Sequence, residues 1–498
     1  MSKPLLELNP LHWFYGSASI AFGIKNYAFS YLLLIFATHV LGIPAASAAL
    51  AIGIGVIWDA FSDVFLGHWS DKTKSRLGRR HPFMYSSLLI FPLSFWLIFN
   101  PIIEINESNG FWYFLVLCIL IRTGTTLIEV PSVAQLPELE TDYDRRSRWL
   151  ALRQMMGWYG GNGIHLINFS VWVGAYGISS HTGYKVFSTF GAILISIAII
   201  VSSLGTQRFA MNLPQPKEKF RMKEIGNELK QLFQSLHNRN FATLFGYGLI
   251  SGIAAGLSTA LYLYNTTYFF GFSGSQIAIT ALGVLIAPLI AYVVGPILGK
   301  ALEKKKAAIV TIVTYIALYP IPYVLLLLGY WPGLGSYSSL AIYTGFIVVE
   351  VACIIIGSMM LDSMMADVVE ESEIQTERRS EGLFFAARSF GAKAISAGGI
   401  FSAGFILTLV GMDSVQTLAD MTMEHRVNLA TLFLPLFCVL NLLAIWLVSR
   451  YRIRRKDHES NLKQLDVRHG TDEPKDEKYS LNISGRLNPI SSTSETSQ

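Results

Sequence analysis

About twelve stretches of this chain stay apolar for roughly 20 residues each, the length a helix needs to cross a bilayer. They centre near Leu32, Ile54, Leu93, Leu120, Gly161, Ile195, Ile253, Leu285, Ile316, Val349, Gly398 and Leu440. Few features constrain a fold more, because backbone groups in hydrocarbon have no water to bond and a helix satisfies them internally. A polar segment from about Arg208 to Asn240 divides the spans into two equal sets. The expected fold is an all-α membrane protein, with about twelve transmembrane helices in two six-helix bundles. The bundles are placed at residues 12–207 and 241–452, after a short cytoplasmic segment at 1–11. In the linker at 208–240, Met222, Ile225, Leu229, Leu232, Phe233 and Leu236 recur at helical spacing and predict an amphipathic surface helix. The tail at 453–498 is polar and is expected to be disordered.

Composition agrees. The chain is 52% hydrophobic and 15% charged, whereas soluble domains carry about 25% charged residues. Cys118, Cys353 and Cys438 all fall in apolar runs and read as buried thiols, not as a disulfide framework or a metal site. The N-terminal residues show no small-residue cleavage site after a short apolar core, so no removable signal peptide is expected.

Basic residues mark one face of the membrane. Lys72, Lys74, Arg76, Arg79 and Arg80 share it with Arg145, Arg146 and Arg148, with Lys304, Lys305 and Lys306, and with Arg378 and Arg379. The linker and the exit of the last span (Arg450, Arg452, Arg454, Arg455) lie there too, while the alternate loops hold little beyond Lys185 and Arg426. By the positive-inside rule both termini are cytoplasmic, in a multi-pass protein of the cell membrane.

The halves resemble each other. Leu66-Gly67-His68-Trp69-Ser70-Asp71-Lys72-Thr73-Lys74 leaves the second span as Leu298-Gly299-Lys300-Ala301-Leu302-Glu303-Lys304-Lys305-Lys306 leaves the eighth. A duplicated six-helix unit would leave such a register. The second span, however, carries Asp59 and Asp63, where the repeat has Ala291 and Gly295. One helical turn separates the two acids, so both project from the same face. A charge near the bilayer centre costs about 2.5–3.5 kcal/mol on insertion scales, and two like charges also repel. The pair therefore calls for a compensating cation, proton or buried base. Carboxylates with nearby hydroxyls make a hard-oxygen site suited to Na⁺, and crowding lets a proton substitute.

Other intramembrane charges are few. Arg122 and Glu129 lie two turns apart on the fourth span, and either Arg122 or Lys393 is a possible ion-pair partner for the acid pair. Arg153 opens the fifth span, either facing a site or snorkelling to the interface. Arg388 and Lys393 sit among small residues of the eleventh, and Asp362, Asp367, Glu370 and Glu371 close the tenth as a polar helix end. His165 reads as a hydrogen-bonded core residue, and Glu350 has no evident role in the sequence.

Trp58-Asp59-Ala60-Phe61-Ser62-Asp63, then Gly67-His68-Trp69-Ser70-Asp71-Lys72 and Ser75-Arg76-Leu77-Gly78-Arg79-Arg80-His81-Pro82, resemble motifs of the glycoside–pentoside–hexuronide:cation symporter family. This is the melibiose permease-like branch of the major facilitator superfamily. The resemblance continues at Ile128-Glu129-Val130-Pro131, at Met365-Ala366-Asp367-Val368-Val369-Glu370 and through Ser380-Glu381-Gly382 to Lys393. It implies alternating access, with Asp59, Asp63 and Glu129 binding the cation. Lys393, with Arg122, would couple cation occupancy to helix position. Arg153 would contact sugar hydroxyls, with Lys25, Asn26 and Arg388 also at the solute site. Gly67, Asp71, Arg76, Gly78, Arg79 and Arg80 would form a conformational gating loop. Two family features are missing. A first-helix acid is replaced by Lys25-Asn26-Tyr27, and a tryptophan after the fourth-helix acid is replaced by Val133, which argues against a galactoside.

The expected activity is Na⁺- or H⁺-coupled import of a sugar, glycoside or uronide by a monomer that needs no cofactor. The alternative is a carrier of lysolipid or another amphiphile. No HExxH and no histidine pair at ligand spacing points to a membrane enzyme, and the acids are confined to one half, unlike the repeated lining of a channel. No nucleic-acid partner is expected.

Overall fold

The computed structural model describes residues 10–106, 108–140, 143–211, 238–376 and 381–454, with short pieces beyond. Among these residues, 10 helices are long and apolar enough to cross a membrane. In the first half they are α1 (Pro10–His39), α2 (Ala45–Lys72), α3 (His81–Phe99), α4 (Gly110–Ala134) and α6 (His181–Ala210). In the second half they are α7 (Arg239–Phe269), α8 (Gly274–Leu302), α9 (Lys304–Leu327), α10 (Tyr337–Thr376) and α12 (Met423–Ser449). The expected fifth and eleventh spans are helices as well. α5 (Tyr143–Ile167, running on through Val173–Tyr176) is too polar to qualify on composition. α11 (Glu381–Val410) contributes its apolar end, Ser396–Val410. The amphipathic helix expected at Met222–Leu236 lies outside the described residues. Of the tail, Tyr479–Leu481 pairs antiparallel with Leu487–Pro489, and most of the remainder lies outside them too.

Helix packing carries the internal repeat further than the sequence does. Within the first half α1 packs on α5 and α6, α4 packs on α2 and α3, and α3 packs on α6. Within the second half α7 packs on α11 and α12, α10 packs on α8 and α9, and α9 packs on α12. The halves meet through α2 on α11 and, in the equivalent place, α8 on α5. The register that sets Asp59 and Asp63 against Ala291 and Gly295 is structural as well. Ala291 is fully buried, and Gly295 faces Met359 and Ile356 of α10, just as the Asp59 face of α2 meets α4.

The two ends of the molecule differ. The end bearing the basic loops is called here the basic end, and the other the far end. Among the described residues, the halves are sealed against each other at the far end. The Thr38 and Tyr264 hydroxyls share a buried hydrogen bond of 2.6 Å, and the rings of His39 and Tyr268 stack at 5.0 Å. The backbone N–H of Ala45 donates to Asp413 Oδ1 at 3.1 Å. Backbones also touch directly. A Cβ added to Gly274 would lie 2.3 Å from Gly174 Cα, and one on Gly404 would lie 2.3 Å from Ala49 Cβ, so only glycine allows these approaches. Arg426, an exception to the charge asymmetry, sits at this end for a structural reason. Its guanidinium donates to the carbonyls of Tyr268 and Phe269 at the end of α7 and to that of Met421 just before α12, and helix-end carbonyls such as the first two lack intrahelical partners.

Candidate cation and solute site

Asp59 is completely buried. Arg122 Nη1 donates to its Oδ2 at 3.2 Å, and Thr126 Oγ1 donates to its Oδ1 at 3.3 Å. Arg122 and Thr126 are one turn apart on α4, so a single helix face meets the acid. Ser62, on α2 between the two aspartates, shares a 3.1 Å hydrogen bond with Thr126 and extends the oxygen cluster. α2 and α4 both run from the far end toward the basic end. Asp63 on α2 and Glu129 on α4 therefore lie about one turn further along than Asp59 and Thr126. Asp63 and Glu129 are both half-buried. Of the bases considered for the acid pair, Arg122 reaches Asp59, and Glu129 makes no ion pair among the described residues.

One face of α1 lines up against this network. Phe29 lies beneath the Arg122 guanidinium at 4.2 Å, and Phe22 lies beneath that of Arg153 at 5.2 Å. Lys25, at 3% exposure, occupies the same helical face between the two rings. Asn26 is exposed. Lys25 thus stands on the α1 face that meets Arg122 and Arg153, while its neighbour Asn26 does not share its burial.

Arg153 does not snorkel. It is 7% exposed, donates from Nη2 to Ser132 Oγ at 3.1 Å, and has Tyr15 on another side at 5.2 Å. Its Nη1 is buried with no hydrogen-bond partner among the described residues. His165 Nε2 is in the same condition. That histidine stacks on Tyr27 at 4.8 Å, and Tyr31 and Tyr262 approach it at 5.6 and 6.0 Å. Tyr31 of α1 meets Tyr262 of α7 edge-on at 5.2 Å, which joins the two halves. Local backbone geometry contributes. A π-helical turn at Ala28–Leu32 carries Phe29 and Tyr31, and another at Asn168–Trp172 carries Asn168, whose amide donates to Tyr27 at 2.9 Å. Such turns widen a helix locally and re-aim the side chains that follow.

The loop expected to gate, residues 67–80, holds a compact clasp at the basic end. Arg80 donates to Asp71 at 2.7 Å and to the Ala134 carbonyl at 2.6 Å, and it pairs with Glu138 at 2.9 Å. Arg79 also pairs with Glu138. Gly78 takes φ 90°, a left-handed turn that favours glycine. Gly67 passes Val130 at ordinary contact distance. Arg76 is exposed, whereas Arg80 is buried and Arg79 half-buried.

The side chains of Arg388 and Lys393 lie outside the described residues, but their helix does not. Phe401 of α11 packs onto Gly53 of α2. The helices run in opposite senses. Lys393, about 12 Å from Phe401 along α11, is therefore level with the stretch of α2 about 9–15 Å beyond Gly53, which holds Asp59 and Asp63.

The acids and arginines could be found in the sequence because each is costly in an apolar run. Tyr31, Tyr262, Thr126 and Ser62 could not, since aromatic and hydroxyl residues are ordinary in a span. Only the π-turn and the rotation of each helix bring them inward.

The family described as MFS/sugar transport protein matches residues 14–455. An uncharacterized symporter of a Synechocystis species is 25% identical, with the alignment covering 91% of this chain and 96% of the other. The isoprimeverose transporter of Lactiplantibacillus pentosus is 25% identical, covering 80% of this chain and 79% of its own. Among solved structures, the nucleoside transporter NupG superposes with a TM-score of 0.60 at 15% identity, over 90% of this chain and 100% of that one, a likeness of fold. The chain therefore belongs to the MFS/sugar transport protein family, the glycoside–pentoside–hexuronide:cation symporters of the major facilitator superfamily, and is a multi-pass membrane transporter, not an enzyme.

Proposed function

We propose that the protein imports a small hydroxylated solute, a sugar, glycoside or uronide, together with Na⁺ or H⁺. The observation that carries this reading is the fully buried Asp59 carboxylate, held by Arg122 and Thr126 with a second acid one turn away. A cation at Asp59, Asp63 and Glu129 would take the oxygens that Arg122 and Thr126 now engage. On this reading Arg122 is an internal competitor for the cation, and Lys25 and Lys393 are assigned the same part. Displacing a competing base by the ion changes which helices are tied together, which is how occupancy can bias a two-state carrier. With the acids neutralised, the charge carried through a closed intermediate also falls.

The solute is assigned to the region between the halves along α5, from Arg153 to His165 about 18 Å further on, where Tyr31 and Tyr262 meet. The unpartnered Nη1 of Arg153 and Nε2 of His165 suit hydroxyl oxygens, and the tyrosine rings suit the apolar face of a sugar. Asn26 and Arg388 are assigned to its margin. The charge asymmetry supports a cytoplasmic basic end, with both termini there. On that orientation the sealed far end makes this the cytoplasm-facing step of the cycle, and the Asp71–Arg80–Glu138 clasp belongs to the machinery that reorients it.

The test is uptake of a panel of glycosides, pentosides and uronic acids into proteoliposomes, with a Na⁺ gradient, a pH gradient or none imposed. Accumulation above equilibrium under one gradient, lost in Asp63→Asn, is the expected result. Accumulation of lysophospholipid with no sugar accumulated under any gradient would replace the sugar assignment by the amphiphile one. Equal uptake with and without gradients would remove coupling altogether.

A further inference from the structure

At the basic end of the second half, a cleft of about 1130 Å³ lies outside the transport site. Its walls come from the starts of α7 and α9, the end of α8 and the chain leaving α12, and they bring together Arg239, Lys300, Lys304, Lys306, Arg452 and Arg454. Glu303 and Asp367 are the acids in the same lining. Asp367 is already occupied by Lys304 at 2.6 Å, and Lys305 is spent on the carbonyls of Ser449 and Tyr451 at 2.7 and 2.8 Å. Of the lining residues, Arg239, Lys300, Lys306, Arg450, Arg452 and Arg454 then remain beside one carboxylate unpaired among the described residues, Glu303, while His458 is taken up by Asp367 and Glu370.

Two details show that this is more than a basic loop at the membrane surface. First, α7 and α9 both begin in the cleft with basic first turns and no acid there. The positive end of a helix dipole disfavours cations, so Arg239 and Lys306, which form no ion pair among the described residues, stand where they cost stability unless an anion joins them. Second, Glu303, which precedes α9, has φ 64°, the only non-glycine positive φ among the described residues, and its side chain does not cap the helix. The first amide groups of α9 thus receive no side-chain cap and follow a strained turn, and uncapped helix starts of this kind bind anions elsewhere.

The neighbourhood names the source of the anion. Ile297, one turn before Lys300 on α8, is 62% exposed, and Trp446, one turn before Arg450 on α12, is 52% exposed with the Arg450 guanidinium over its ring at 4.6 Å. Aromatic and apolar side chains of this kind mark where a span leaves the hydrocarbon. Lys300 and Arg450 of the lining thus stand one turn from side chains suited to the lipid-facing surface, so a ligand whose phosphate sits among these cations would have Ile297 and Trp446 nearby for its chains. We propose that the cleft binds the phosphate of an anionic phospholipid headgroup from the adjoining leaflet.

Full-length protein in neutral detergent would be titrated with short-chain phosphatidylglycerol, short-chain phosphatidylcholine and glycerol 1-phosphate, read by native mass spectrometry and by thermal stability. Phosphatidylglycerol should bind in preference to phosphatidylcholine, stabilise the fold, and weaken as salt is raised. Lys300→Gln and Lys306→Gln should each lower its affinity roughly fivefold, and Arg452→Gln added to both should lower it further. The single variants keep the test readable if the triple one does not fold. Glycerol 1-phosphate binding as tightly as the lipid would assign the cleft to a soluble phosphate and overturn the lipid proposal. Equal affinity for both lipids, or single variants that bind like the parent, would overturn the site itself.

Discussion

The Arg122 guanidinium and the Asp59 carboxylate lie 3.2 Å apart, with Asp59 at 0% and Arg122 at 8% exposure. An ion pair so deep in a bundle gains little net stability from its own attraction, because both groups gave up hydration. Its effect appears when one partner is lost. Arg122→Gln should destabilise the protein by about 3–5 kcal/mol, and the added Asp59→Asn should recover much of that. Thermal melts in detergent check this, and non-additive shifts are expected of partners in contact. If Arg122 competes with the coupling ion, Na⁺ or low pH should stabilise Arg122→Gln more than the parent.

Asp63→Asn should reduce gradient-driven accumulation to the level of protein-free vesicles while leaving the protein in the membrane. Solute binding without a gradient should persist. Retained concentrative uptake would take Asp63 out of the coupling site.

Arg153 offers a test of the solute site separate from the ion. Arg153→Lys keeps the charge but loses the planar fork that reaches Ser132. The solute Kd should rise by about 10- to 100-fold, the cost of one or two charge-assisted hydrogen bonds. Cation-induced stabilisation should be unchanged. The opposite pattern would move Arg153 into the cation network.

The contact of Gly274 with Gly174 predicts a conformational variant. Gly274→Val sets side-chain carbon where only 2.3 Å separates it from backbone, so the far end cannot close as it does here. A shift of about 1.4 kcal/mol would already change the ratio of the two states tenfold. Thr38→Cys, in a background lacking Cys118, Cys353 and Cys438, should label faster with an impermeant maleimide in this variant, and transport should slow. Unchanged labelling would mean that the seal does not depend on this approach.

The architecture was legible because the bilayer dictates it: spans such as those around Ile54 and Leu285 are apolar for a full crossing and stand out on length alone. α5 was the faintest, since Arg153 and the polar residues around it lower its apolar character. Asp59 and Asp63 were visible for the same energetic reason, being charges where charges are dear. What the one-dimensional pattern did not carry was rotation and reach. Arg122 is spaced to serve Glu129 on its own helix, yet its side chain crosses to α2, a choice made by interhelical packing. Tyr31 and Tyr262 are 231 positions apart, and nothing local marks them as neighbours. Arg76 has the same motif context as Arg79 and Arg80 but is exposed where they are not.

The far-end closure also bears on leakage. A gradient-driven carrier is useful only if its shut side stops protons as well as solutes, and protons travel along threads of water wherever a pore is wide enough to hold one. Side chains that merely meet leave gaps between rotamers. Where Gly174 meets Gly274 and Gly404 meets the α2 backbone region at Ala45 and Ala49, the chains are too close for a water molecule to stand between them. Such a closure also needs no charged pair to be dehydrated and rehydrated each time it parts. The same glycines that let the helices touch therefore help to keep the energy stored across the membrane from draining away between turnovers.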